Sequence, residues 1–162
     1  QILGVAAIAT LGMVSCDTDA CKDVNCGTNG TCVEGDCECD AGYEGTNCET
    51  EERAKFIGNW DFTDSCVPGS ANTSEIKTSN ADVTRILISN ILGTDLGGQA
   101  YAEITDGTKV KIPSQSVSDV DGDSWNVSST QGTISNNSFA LTVTSVFGTS
   151  QPVVCTLTYT AQ

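Results

Sequence analysis

CKDVNCGTNGTCVEGDCECDAGYEGTNC, residues 21–48, holds six of the chain's nine cysteines: Cys21, Cys26, Cys32, Cys37, Cys39 and Cys48. Their spacing is C-x4-C-x5-C-x4-C-x-C-x8-C. A segment this short buries too little apolar surface to fold alone, so cross-links must restrict its unfolded state. Dense pairing of this kind belongs to oxidising, extracytoplasmic compartments. Spacing by itself leaves the connectivity open. Gly27, Gly30, Gly35, Gly42 and Gly45 punctuate the stretch and supply its turn positions.

The closing run Cys39-Asp40-Ala41-Gly42-Tyr43-Glu44-Gly45-Thr46-Asn47-Cys48 fits C-x2-G-[YF]-x-G-x2-C. Over its whole length, residues 21–49, the segment resembles an epidermal-growth-factor-like (EGF-like) module. The resemblance implies the pairs Cys21–Cys32, Cys26–Cys37 and Cys39–Cys48, with Tyr43 packed on a small second hairpin. Calcium-binding members of that family carry an acidic-x-acidic-Glu/Gln pattern just before the first cysteine. Asp17 and Asp19 match in part, but Ala20 has no side-chain oxygen for a hard cation. The loop Val33-Glu34-Gly35-Asp36 is also too short for the family's remaining ligands. The module is therefore expected to be a stiff, protease-resistant spacer.

Upstream, residues 2–14 form a run of thirteen residues without charge. That is short for a bilayer span and suits the apolar region of a signal peptide. No Met, Lys or Arg precedes it, so a truncated leader over residues 1–15 is expected. The run ends in Leu11-Gly12-Met13-Val14-Ser15-Cys16, which is similar to a bacterial lipobox, where a small residue precedes a cysteine that becomes diacylated. Cysteine parity points the same way. Six cysteines belong to the module and two, Cys66 and Cys155, lie downstream, so Cys16 has no partner. An odd cysteine in a secreted chain needs an explanation, and thioether lipidation with palmitate-type chains supplies one. Two or three acyl chains anchor stably where one does not. Residues 16–20 would then be a lipidated tether. Asp17, Asp19 and Asp23, opposed only by Lys22, resemble the surface-export signal of Bacteroidota lipoproteins; simple solvation of the tether is the alternative.

Charge excludes several function classes. Seven Lys and Arg against 21 Asp and Glu give a net charge of −14. Nucleic-acid binding needs a basic footprint, and none exists. Direct docking on an anionic bilayer is disfavoured for the same reason, leaving the lipid anchor as the membrane contact. There is no His, which removes the commonest general base and every Ser-His-Asp or Cys-His arrangement. No nucleotide-binding glycine motif is present, and no cofactor and no catalytic residue are expected.

Thr50-Glu51-Glu52-Arg53-Ala54-Lys55 reads as a charged linker with room for one helical turn. From Phe56 onward the texture turns to Thr, Ser, Val, Ile and Gly with alternating polarity, which is strand texture. Strands are predicted over 58–66, 75–78, 84–91, 99–104, 109–118, 124–129, 132–134 running to 138–147, and 152–160. Asn, Asp and Gly turns separate them. Many short strands with tight turns predict an antiparallel β-barrel or sandwich over residues 56–162, so the chain is mainly β. Gly58-Asn59-Trp60 resembles the G-x-W opening of lipocalin-like barrels, whose Trp plugs one end. Cys66 ends the first strand and Cys155 lies on the last, and in an up-and-down barrel those strands are neighbours. A Cys66–Cys155 bridge would contribute roughly 4–5 kcal/mol in the chain-entropy picture. The pattern as a whole is similar to small lipocalin-like domains of Bacteroidota surface lipoproteins.

Three features are weighed as sites. Asp119, Asp121 and Asp123 alternate as D-x-D-G-D, the only metal candidates, but Ser124 and Thr130 stand where a calcium loop needs Gly and Glu. A solvated acidic hairpin is expected there. Trp60 is assigned to the core; Trp125, just after the acidic turn, is the better ligand candidate, able to stack on a sugar ring if exposed, with a place in the core as the favoured alternative. Asp61, Asp64 and Glu103 show no paired-carboxylate pattern. The expected function is a lipid-anchored outer-membrane surface protein, a non-catalytic binding or display module on an EGF-like stalk. Its partner would be a protein, a glycan or a small apolar ligand. The alternative is a self-assembling structural subunit of an extracellular filament or surface assembly. An apolar lumen would favour the first, and a filled core with apolar exterior patches the second.

Overall fold

Cross-linked hairpins come first in the computed structural model, which describes residues 19–93 and 96–162. The leader, Cys16 and most of the 16–20 tether lie outside the described residues. Strands β1 (Gly30–Val33) and β2 (Asp36–Cys39) pair with Cys32 opposite Cys37. Their two-residue turn has positive φ at both Glu34 (54°) and Gly35 (98°), the backbone a tight hairpin demands. Strands β3 (Tyr43–Glu44) and β4 (Thr50–Glu51) form the second hairpin. Disulfides join Cys21 to Cys32, Cys26 to Cys37 and Cys39 to Cys48. Gly30 is obligatory: a Cβ there would collide with the Cys48 sulfur and lie 2.9 Å from the Glu38 carbonyl oxygen.

The expected linker over 50–55 is not a free linker. Thr50 and Glu51 are ladder residues, so the EGF-like unit runs past residue 49, and a 3-10 turn (Glu52–Lys55) follows directly. Its two cations bolt the units together. Arg53 Nη1 donates to the carbonyls of Ser79 (2.7 Å), Asp82 (3.1 Å) and Arg85 (3.3 Å), while its Nε pairs with Glu51 at 2.7 Å. Lys55 Nζ donates to Glu44 (2.6 Å) and to the Gly107 carbonyl (2.9 Å). Gly42 fits against Val83 so closely that a Cβ would come within 2.7 Å of its Cγ1. The EGF-like unit is therefore a stem seated on one end of the second unit.

That unit is built from β5 (Gly58–Asp64), β6 (Asn72–Thr78), β7 (Arg85–Ser89), β8 (Gln99–Thr105), β9 (Lys109–Lys111), β10 (Gln115–Ser118), β11 (Ser124–Ser129), β12 (Gly132–Thr133), β13 (Ser138–Phe147) and β14 (Val153–Ala161). All belong to one curled antiparallel sheet, in the order β10-β11-β13-β14-β5-β6-β7-β8-β9-β12, rather than to the two stacked sheets of a sandwich. The first and last strands pair from Trp60 opposite Ala161 to Asp64 opposite Leu157. The predicted strand 109–118 is interrupted at Ile112-Pro113-Ser114, because Pro113 has no N–H for the ladder. Both halves still face the same partner run, with Val110 opposite Gly132 and Gln115 opposite Val127. On its other side β8 pairs with β9 only. Where β10 leaves β8, the Gln115 side-chain amide fills the gap. It accepts from the Tyr101 N–H (3.0 Å) and donates to the Tyr101 carbonyl (2.7 Å), as a ladder peptide would. With this bridge the sheet curls round into a barrel.

Alternation sends one face of every strand inward, as in the buried positions Trp60 and Phe62 of β5. Phe139 and Tyr159 stack at 4.6 Å, Phe62 stacks on Tyr159 at 5.1 Å, and Trp60 and Phe56 meet Phe139 edge-on at 5.0 and 5.6 Å. Trp60 is buried and its indole N–H donates to the Phe56 carbonyl at 2.8 Å, closing the stem end. Aromatic and branched side chains thus fill the interior, where the sequence left room for an apolar lumen. Cys66 and Cys155 are bridged across a separation of 89 residues.

Candidate recognition site at the far end of the barrel

Turns at 79–84, 106–108 and 134–137 share the stem end; those at 65–71, 119–123 and 148–152 share the far end. The acidic turn is held by one residue. Asp119 Oδ1 accepts from the backbone N–H of Asp121 (3.1 Å) and Asp123 (2.8 Å), and Oδ2 from the Trp125 indole N–H (2.9 Å). The indole bond holds the Asp119 carboxyl below its usual range; desolvation opposes it, and the smaller backbone bonds add to the lowering. The Asp119 oxygens, among those sought for a cation, are spent on the hairpin. Among the described residues the only trio of close potential metal ligands is Asp64, Cys66 and Cys155, and both its sulfurs are in the disulfide.

Trp125, the expected ligand residue, is half-buried. Asp119 pins it on one side, and on the other it packs on Phe147, its cross-strand neighbour, at 5.0 Å. It belongs to a lip rather than standing free. Of the seven large apolar residues exposed among the described residues, five sit around this end: Val67, Val120, Phe147, Val153 and Val154. Only Val33 and Ile57 lie elsewhere. Inside the lip, Asp64 continues the inward alternation of Trp60 and Phe62. It lines a recess of about 40 Å³ with Ile91, Leu92, Val143, Ser145 and Leu157. One Asp64 oxygen accepts from the Cys66 N–H at 2.8 Å. Tyr159 shares the inner face of β14 with Leu157 and Cys155, and its buried hydroxyl has no hydrogen-bond partner in the protein. Burial first, and the Asp64 charge second, push its phenol well above the usual range. Asn72 Oδ1, at the start of β6 on the same end, is likewise buried and unpartnered.

The remaining strand carboxylates are dispersed. Asp61 faces outward and accepts from the Gln162 amide at 2.7 Å, beside a groove of about 340 Å³ flanked by Thr63, Thr73, Thr158 and Thr160. Glu103 is at the stem end, paired with Arg85 at 3.0 Å. Sequence reading weighed Asp64 only as a member of a carboxylate pair and missed Phe147, Val153 and Val154. Strand parity was the available signal: Phe147 lies on the inward register of β13, four residues beyond Val143, where the wall ends.

This geometry defines a disulfide-built stem carrying a β head, the arrangement of an extracellular binding or stalk-type protein. Residues 21–51 match the Teneurin-like EGF domain. No curated protein matches the chain.

Proposed function

We propose that the protein is a lipid-anchored, cell-surface, non-catalytic binding module, in which the EGF-like unit is the stem and the barrel is the recognition head. The observation that carries the reading is the seating of the stem. Arg53 and Lys55 fix it to one end of the barrel, leaving the opposite end, with its apolar lip, pointing away. The filled interior favours a macromolecular partner over a small apolar ligand. Exposed apolar residues gathered at one end mark an interaction surface. The likeness of Leu11 to Cys16 to a lipobox, and the odd cysteine, support a Bacteroidota-type outer-membrane anchor at Cys16 and a lipocalin-like ancestry for the head. Intact-mass analysis of the native protein from the membrane fraction tests the anchor. The expected mature chain begins at an acylated Cys16; a soluble chain with unmodified Cys16 overturns it. The placement of the apolar patch at the end away from the seated stem is what favours head recognition; a filled core with an apolar patch outside is otherwise the pattern expected of the second reading, a structural subunit of a surface assembly. Concentration-dependent oligomers in light scattering, abolished by Phe147→Ser, would favour that reading instead.

A further inference from the structure

The cations of this chain, unlike its acids, are confined to one end of the barrel axis. Arg53, Lys55, Lys77, Arg85, Lys109 and Lys111 all lie on the connector or toward the stem end, and no Lys or Arg follows residue 111. The far end carries Asp64, Asp119, Asp121 and Asp123 and no cation among the described residues. Asp64 lines the recess within the apolar lip.

We propose that the far end of the barrel docks a cationic, apolar-flanked segment of another protein, whose Lys or Arg head enters the recess at Asp64 while its apolar neighbours cover Trp125, Phe147, Val153 and Val154. The inference rests on the head-and-stem reading and names its partner's chemistry. Size agrees: a recess of about 40 Å³ holds an ammonium head, since a water-sized group needs roughly 10–15 Å³ on the same measure. Charge decides against the other occupants. A second copy has little to offer, because Arg53, Lys55, Lys77, Arg85 and Lys109 are already in ion pairs with acids of their own chain. Two acidic ends facing each other would also repel. An anionic lipid surface meets the same repulsion.

The test is fluorescence anisotropy on the full chain with a labelled peptide of alternating Lys and Leu, against Glu–Leu and Lys–Ser counterparts. The Lys–Leu peptide is expected to bind and both counterparts to bind at least about tenfold more weakly. Asp64→Asn keeps the oxygen that accepts from the Cys66 N–H and removes the charge, and should weaken binding about tenfold or more. Val154→Ser, a change at an exposed position, should weaken it several-fold, guarding against misfolding of the Asp64 variant. Glu38→Gln, an exposed carboxylate on the stem, should leave it unchanged. Equal binding of Lys–Leu and Lys–Ser peptides, or equal loss in Glu38→Gln and Asp64→Asn, means diffuse attraction to an acidic chain and overturns the proposal. If far-end residues cross-link to a cell-surface partner while no Lys–Leu peptide binds, the cationic assignment fails and head recognition stands. Cross-links confined to the stem sink both.

Discussion

Replacing Cys66 and Cys155 together by Ala removes the bridge between the first and last strands of the barrel and leaves the stem's three bridges untouched. The folded head loses little, because β5 and β14 remain paired over five residue positions and share the Phe62–Tyr159 stack. The effect falls on the unfolded chain. The bridge closes a loop across 89 residues, and freeing it returns loop-closure entropy worth about 4–5 kcal/mol at room temperature. Ordinary domains are stable by about 5–15 kcal/mol, so the variant should fold but with a large fraction of its stability gone. Guanidinium unfolding followed by Trp60 and Trp125 fluorescence, without reductant, measures this. The expected result is a much lower midpoint and a steeper slope, because an unlinked chain exposes more surface when unfolded. A loss under about 1 kcal/mol with an unchanged slope would refute the reasoning, since the bridge would then not restrain the unfolded head.

Gln115→Ala takes away the amide that stands in for a ladder peptide and leaves both polar groups of Tyr101 unmatched. A loss of about 1–3 kcal/mol is expected in the same unfolding assay, with faster amide exchange at Tyr101. Arg53→Met should release the stem while the head keeps its melting temperature to within a few degrees, seen as a longer maximum dimension in small-angle scattering. The Asp119 carboxyl titrates below its usual range in the fold, so its contribution is present above the ordinary Asp value of about 3.9 and fades as pH falls through the depressed one. Trp125 emission should shift in that acid window in the native protein and not in Asp119→Asn.

Legibility in the sequence followed the range of the interactions. The stem was readable because its cross-links span only 9 to 11 residues, so the whole module lies in one short stretch whose resemblance to EGF-like modules implies the pairing. Gly58-Asn59-Trp60 pointed correctly to a buried Trp at one end of a barrel, because a strand's alternation is local. Choosing between barrel and sandwich depended on β14 meeting β5, a contact that only the positions of Cys66 and Cys155 hinted at. Gln115 was invisible: a side chain acting as a peptide leaves no periodic trace. The linker was legible as a charged stretch with one helical turn, but not the partners of Arg53 and Lys55, which bind carbonyls up to 52 residues away. The D-x-D-G-D turn was read as an acidic hairpin, but not what holds it, since the backbone N–H groups and the indole that bond Asp119 leave no spacing signal.

Head-first recognition is tested most directly by site-specific photo-cross-linking on cells displaying the native protein. A photoreactive residue is placed in turn at Phe147, at Val154 and, on the stem, at Val33, all three exposed in the free chain. The account predicts discrete adducts to a partner from Phe147 and Val154 and none from Val33. Adducts from Val33 alone would contradict it, making the EGF-like unit the binding element and the barrel its support.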